Sequence, residues 1–190
     1  MNLFTLKKFL NHGSKIVHGL EPNLKLKNKR FKNIKIINQN IEKFKSNQKY
    51  DLILMAHVLE HLIDPQIAIK NCRRHQKIGQ KILIEVPLFE RIDLYPLAGF
   101  TMEHLHYFSE ENIKYLLQKN GYKILNINKL YYSTQMPFLT VMAEKSKNYN
   151  FEIDKKTILN QKKNYLDYLK IHSERYKKIK KSISKIKKNI

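Results

Sequence analysis

The stretch YDLILMAHVLEHLIDP at residues 50–65 constrains this chain more than any other. Asp51 opens a continuous apolar run, residues 52–56, with the length and composition of a strand buried on both faces. A helical pattern follows at once and carries Glu60, His61 and the pair Asp64 and Pro65. A buried strand that empties through a polar turn into a helix is a unit of an open parallel sheet. The turn then lies at the carboxyl edge of that sheet, where ligands of such sheets bind.

The flanking sequence supports an α/β domain over residues 1–144, because helix and strand signals alternate along it. Residues 3–10 space their apolar side chains helically and stop at Asn11, His12 and Gly13. Residues 15–20 read as a short strand ending at Glu21 and Pro22. Asn23 is placed to cap a lysine-rich helix over residues 24–31, and residues 34–37 form the next strand. A helix over residues 65–76 ends near Gly79, and a strand over residues 81–86 is closed by Pro87. Residues 88–108 have no clear period and contain Tyr95, Pro96 and Gly99, as expected of a long functional loop or partial lid. Ser109 caps a helix with Glu110, Glu111 and Asn112 at its positive end, and Gly121 ends it. Residues 122–130 and 138–144 then form an antiparallel hairpin.

Residues 145–190 differ in kind. They hold 15 Lys and Arg against 4 Asp and Glu, so this quarter of the chain supplies half of the formal net charge of +21. Tyr165, Leu169, Tyr176, Ile179, Ile183, Ile186 and Ile190 fall on alternating four- and three-residue steps, with His172 in the one gap. That is a heptad seam on a long basic helix, suited to packing on its own domain or pairing with a second copy. The charge would attract nucleic acid, acidic glycan or an anionic surface. The abundance of Lys, Asn and Ile, all with A/T-rich codons, is a second source of the same composition. A nucleic-acid partner is not expected, since the tail lacks the Arg and Gly content of such segments. Cys72 is the only cysteine, which excludes an internal disulfide and suits a reducing compartment. No apolar run approaches the roughly 20 residues that span a bilayer. With no leader signal in its first residues, the chain is expected to be cytoplasmic.

Residues 50–65, with Leu59, Glu60, His61 and then Asp64 and Pro65, closely resemble the fourth-strand region of class I S-adenosylmethionine (SAM)-dependent methyltransferases. GLEPN at residues 19–23 resembles the end of that family's second strand, and ILIEVP at residues 82–87 its fifth. EHLHYFS at residues 103–109, with Gly121 and Tyr122 after the helix, resembles a subgroup common among sugar and lipid-precursor methyltransferases. The four matches stand in the family's order. The implied fold is Rossmann-like, with a mostly parallel sheet and a C-terminal antiparallel hairpin. The implied cofactor is SAM, and the implied acceptor a sugar, surface-glycan or related small-molecule precursor.

Glu21, at the end of its strand, is placed to accept hydrogen bonds from a ribose diol, as acidic residues do in dinucleotide sites. The resemblance gives it the same task on SAM. Asn40, followed by Ile41, stands where the family usually has an acidic residue reading the adenine amino group. Its carbonyl is able to accept that bond. Ala56, His57 and Leu59 would line the site beside the methionine portion.

One part of the family pattern is absent. The family's first strand leads into Gly-x-Gly, where only glycine lets the backbone approach the cofactor's amino acid portion. The glycines here are Gly13, Gly19, Gly79, Gly99 and Gly121, no two of them close. The family's first strand lies between its second and fourth. Its loss is expected to leave a gap in the sheet unless those two close on each other. The expectation is a truncated or degenerate domain that binds the cofactor weakly or not at all by itself.

For catalysis, His57, His104 and His106 are the candidate bases, because an unperturbed imidazole titrates near neutrality. An extended segment would put His104 and His106 on one side. A metal reading with His57 or Glu103 lacks the spacing of a metal site, and no metal is expected. His61 is assigned to packing or capping, and Glu60 to the positive end of the following helix. Phe89, Tyr95, Phe100 and Tyr107 would form an apolar wall for the acceptor or a miniature core of the loop. The alternative function is a non-catalytic interaction protein, built on a degenerate methyltransferase fold and self-associating through the basic helix.

Overall fold

A computed structural model of the chain describes residues 3–22, 30–31, 33–89, 103–131, 137–147 and 155–188. In chain order the elements are α1 (Leu3–Asn11), β1 (Val17–Leu20), β2 (Arg30–Phe31), β3 (Ile34–Ile37) and β4 (Leu52–Ala56). A single 3-10 turn (Leu59–His61) and α2 (Pro65–Arg74) follow, then β5 (Lys81–Pro87), α3 (Glu110–Lys119), β6 (Tyr122–Leu130), β7 (Phe138–Lys145) and α4 (Lys155–Lys188).

The strands form two sheets, one in the order β1-β3-β2 and one in the order β4-β5-β7-β6. β1 and β3 are parallel, with Val17 opposite Ile34, and so are β4 and β5, with Leu52 opposite Lys81 and Ala56 opposite Glu85. β7 runs antiparallel to both β5 and β6, which is the expected hairpin, and the β6 side is irregular between Ile124 and Asn126. Pro87 does not end its strand but pairs with Phe138 as its last residue. Arg30 and Phe31 correct the sequence reading: they pair antiparallel with β3 as a strand rather than ending a helix. The rest of that expected helix, residues 24–29, lies outside the described residues.

Among the described residues no strand joins β1 to β4, so the two do not close on each other. Near the gap, a side-chain contact runs from β1 to the residue just before Asp51, His18 Nδ1 to the Tyr50 hydroxyl at 2.7 Å. Burial, and then the charge of Lys35, lower the pKa of His18, while burial raises that of Tyr50. The free edge also changes β4. The apolar run predicts burial on both faces, yet Met55 is the one buried residue of the strand, and Leu52 is 39% exposed. With β5 as its only partner among the described residues, β4 is an edge strand there, and its faces are covered by fewer neighbours than a central strand has.

The main core lies between the larger sheet and the helices α2 and α3, where Ile69, Ile82, Ile84, Ile113, Leu117 and Tyr122 are fully enclosed. A smaller core joins Leu6 of α1 to Val17, Ile34 and Ile36. α2 starts where Asp64 accepts from the amides of Gln66 (2.8 Å) and Ile67 (3.1 Å), with Pro65 pre-set for the first turn. It ends at Arg74 with His75 as its cap, two residues before the expected end. α3 begins at Ser109, whose hydroxyl accepts from the Asn112 amide. The buried Tyr122 hydroxyl donates to Gln76 Oε1 at 2.6 Å, and Gln76 Nε2 donates to the Lys81 carbonyl at 2.6 Å, tying helix end to sheet. Burial pushes the Cys72 thiol up to about 12, so it is an inert packing group.

α4 runs for 34 residues, and Tyr165, Leu169, Tyr176 and Ile179 of the expected seam are exposed on it. No helix among the described residues is long and apolar enough to cross a membrane.

Gly121 has φ +79°, and a Cβ there would lie 2.6 Å from Cζ of Arg73, whose guanidinium donates to the Gly121 and Ser146 carbonyls. Gly13 has a similar φ of +92° but open space around it. Gly13→Ala is therefore expected to cost only the left-handed backbone term, about 1–2 kcal/mol. Gly121→Ala should cost more than this, because Arg73 must also leave its carbonyls. Urea unfolding of the two variants checks the order.

Candidate functional site

The carboxyl ends of β4 and β5 meet where Ala56 pairs with Glu85. The next residue, His57, donates its amide to the Glu85 carbonyl at 2.9 Å and turns the chain with φ +52°. A non-glycine residue in the left-handed region is strained, and such positions cluster at sites of function. The turn leaves the ring between two carboxylates. Nδ1 is 3.3 Å from Glu60 Oε1, Nε2 is 3.3 Å from Glu85 Oε1, and the ring meets the Phe138 ring edge-on at 5.1 Å.

The 3-10 turn after His57 explains why the following side chains converge. His57 itself stands before that turn, and its left-handed backbone redirects the chain so that the turn carries Glu60 beneath the His57 ring, with His61 next to it. The Glu60 side chain is 2% exposed, and neither carboxylate oxygen has a hydrogen-bond partner among the described residues. Its backbone carbonyl accepts from the amides of Leu105 (2.8 Å) and His106 (3.1 Å), pinning residues 103–108 against the turn. His61 Nδ1 donates to the Glu103 carbonyl at 2.8 Å, and its Nε2 lies 3.9 Å from Glu60 Oε1. The His104 ring sits 4.9 Å from the His61 ring.

Of the three histidines expected to act, His57 and His104 thus join one cluster around Glu60. His106 has different neighbours: its Nε2 is 3.4 Å from the Ile63 carbonyl, and its ring stacks on Phe108 at 6.0 Å. It borders a cleft of about 280 Å³ lined also by Asp64, Gln66, Tyr107, Phe108 and Tyr115. Of the expected aromatic wall, Phe89 and Tyr107 meet at 5.5 Å, while Tyr95 and Phe100 lie outside the described residues.

The expected cofactor residues are distributed over both sheets. Glu21 follows β1, its amide bonded to the Ile37 carbonyl at 3.0 Å. Asn40 is folded onto Glu42: Nδ2 donates to Glu42 Oε2 at 2.8 Å, and Oδ1 accepts the Glu42 amide at 3.1 Å. One lone pair of that carbonyl remains for a ligand. The Ile41 side chain packs on the main core, and its carbonyl accepts from Asn71 Nδ2 at 2.6 Å. Ala56 is exposed at the strand end, whereas Leu59 has no accessible surface and belongs to the core. Glu60 and His61 are the residues that sequence reasoning passed over. It placed both on a regular helix and gave them helix-end, capping or packing roles; their spacing of three and four residues from His57 was the available signal, since such positions are neighbours on a helical surface.

Residues 5–127 match a protein family described as a methyltransferase domain. No curated protein sequence matches the chain. Among solved structures, a putative SAM-dependent methyltransferase from Listeria monocytogenes is similar with a TM-score of 0.59 at 13% identity, over 76% of this chain and 86% of that one. The N-methyltransferase NodS from Bradyrhizobium japonicum, in complex with S-adenosylhomocysteine, gives 0.58 at 18% identity over 75% and 72%. A putative methyltransferase of Haloferax volcanii, in complex with the activator Trm112, gives 0.64 at 9% identity over 75% and 78%. At these identities the likeness is one of fold: a Rossmann-like α/β domain.

A buried carboxylate without hydrogen bonds opposes folding. Glu60→Gln, measured by urea unfolding in metal-free buffer, is therefore expected to raise stability by about 1–3 kcal/mol. A fall in stability would show that the carboxylate is satisfied in the folded chain.

Proposed function

The chain belongs to the methyltransferase-domain family, and from that premise we propose that its site serves transfer of a methyl group from SAM to a small-molecule acceptor. A sugar, surface-glycan or related precursor is the acceptor class that the EHLHYFS segment favours. The observation that carries the reading is His57, held in a strained turn at the carboxyl edge of the sheet between Glu60 and Glu85. SAM, when bound, supplies an electrophilic methyl group on a sulfonium. The acceptor must give up a proton as the new bond forms, and a positioned imidazole is suited to take it. His57 is 42% exposed at the side chain, which leaves it open to an acceptor, and Glu60 and Glu85 on either side fix where its ring stands. His106 and Phe108, on the rim of the neighbouring cleft, are suited to hold the acceptor.

The residues fit the nucleoside half of SAM better than its amino acid half. Glu21 has the chemistry for the ribose diol and the free lone pair of Asn40 for the adenine amino group. No Gly-x-Gly turn occurs among the five glycines to cradle the amino acid portion. Calorimetric titration of the full chain with S-adenosylhomocysteine is expected to give a dissociation constant in the millimolar range, about −4 kcal/mol. Glu21→Ala should remove the remaining heat. Micromolar one-to-one binding would overturn the expectation of a weak site, and no heat from the unaltered chain would overturn the donor-site reading.

A second reading, a self-associating interaction protein, is favoured by the exposed seam on α4. Sedimentation is expected to show a dimer or larger species that Leu169→Glu with Ile179→Glu converts to monomer. Monomeric behaviour of the unaltered chain would remove this reading.

A further inference from the structure

We propose that Glu60, His61 and His104 form a binding site for a divalent transition-metal ion, with Zn²⁺ the best match. Each offers one ligand atom, and the three atoms lie within 4.8 Å of one another. Two ligands of a tetrahedral zinc, each at about 2.0–2.2 Å from the ion, stand roughly 3.4 Å apart. The trio therefore needs to close by about 1.4 Å at most. The side chain of His61 is 40% exposed and that of His104 is half-buried, so both rings have room to turn inward.

An independent observation points to a cation. Glu60 is 1% exposed, and both of its oxygens lack a hydrogen-bond partner among the described residues. A carboxylate enclosed in that way is costly unless a positive charge meets it. His57 stands 3.3 Å from Oε1, which leaves Oε2 unmatched. The ligand nitrogen of His61 is also prepared. A carbonyl oxygen only accepts hydrogen bonds, so the 2.8 Å contact to the Glu103 carbonyl places the ring proton on Nδ1. Nε2 then carries the free lone pair on the side of Glu60. Such outer hydrogen bonds fix the tautomer and orientation of metal-binding imidazoles. The backbone supplies rigidity, since the Glu60 carbonyl holds the amides that follow His104.

Two imidazoles and one carboxylate select a borderline divalent ion over Mg²⁺ and Ca²⁺, which prefer all-oxygen sites. Three protein ligands leave a fourth position open, as in zinc sites that do chemistry rather than hold structure. The site does not depend on SAM, so it stands or falls apart from the methyl-transfer reading.

The test is calorimetric titration of the chelator-treated full chain with Zn²⁺, followed by Co²⁺ substitution and visible absorption. One equivalent of Zn²⁺ is expected to bind, with no heat from Mg²⁺, and Co²⁺ should give the intense bands of a low-coordinate site. His61→Ala with His104→Ala should weaken Zn²⁺ binding by more than the roughly 10–100-fold that loss of a supporting partner costs. Glu60→Gln should remove the Co²⁺ bands. His12→Ala, an exposed histidine bonded to its own helix, should change neither. Both paired histidines are accessible enough for the double variant to fold, and circular dichroism checks that it does. Equal zinc binding by the double variant, or none by the unaltered chain, would overturn the proposal.

Discussion

The parallel pairing of β4 with β5 is the contact on which the rest of the molecule depends. Its five residue pairs run from Leu52 and Lys81 to Ala56 and Glu85, and among the described residues it is the only sheet pairing of β4. The ladder is extended at both ends by backbone bonds, Lys81 to Asp51 at 2.9 Å and His57 to Glu85 at 2.9 Å. The second of these determines where the His57 ring stands. It also sets the start of the 3-10 turn, and so the position of Glu60 and His61. The core beneath, with Ile69, Ile82, Ile84 and Tyr122, holds this register, because a slip of one residue would exchange the faces of β5.

Around that ladder the chain departs from what would make it most stable. His57 accepts a left-handed backbone, Glu60 is enclosed without hydrogen bonds, and β4 keeps an open edge. Each opposes folding, and the first two fall within one turn of chain at the carboxyl edge of the sheet. Elsewhere the same domain satisfies its buried polar groups closely: Gln76, Asn71 and Asn120 each find a backbone carbonyl. The contrast sets residues 57–61 apart from the rest of the domain as the segment that departs most from local rules of stability.

Much of this was legible in the sequence, and what was not has a common cause. The cap at Ser109, the glycine at 121 and the final hairpin depend on neighbours within a few residues, and local sequence specifies them. β2 at Arg30 and Phe31 was missed because its only reason to be extended is β3, which reaches it through the turn at Asn33. β4 was expected to be buried because its composition is that of a central strand; composition does not reveal how many partners a strand has. Glu60 and His61 were read as a helix end because residues 57–63 suit both a regular helix and a 3-10 turn. Only the docking of residues 103–108 onto the Glu60 carbonyl distinguishes the two.

The candidate site residues are divided between the two sheets. The cluster around Glu60 is built wholly from the larger sheet, its turn and the segment before α3, whereas Glu21 belongs to the smaller sheet. Communication between them runs through residues 40–44, which follow β3 and dock on α2. Asn71 Nδ2 donates to the carbonyls of Ile41 (2.6 Å) and Phe44 (2.7 Å), and Glu42 Oε1 accepts the Asp64 amide at 3.0 Å. Asp64 in turn caps α2 and lines the cleft beside His106. A single carboxylate, Glu42, thereby touches both Asn40 and the residue that caps α2 at the edge of that cleft.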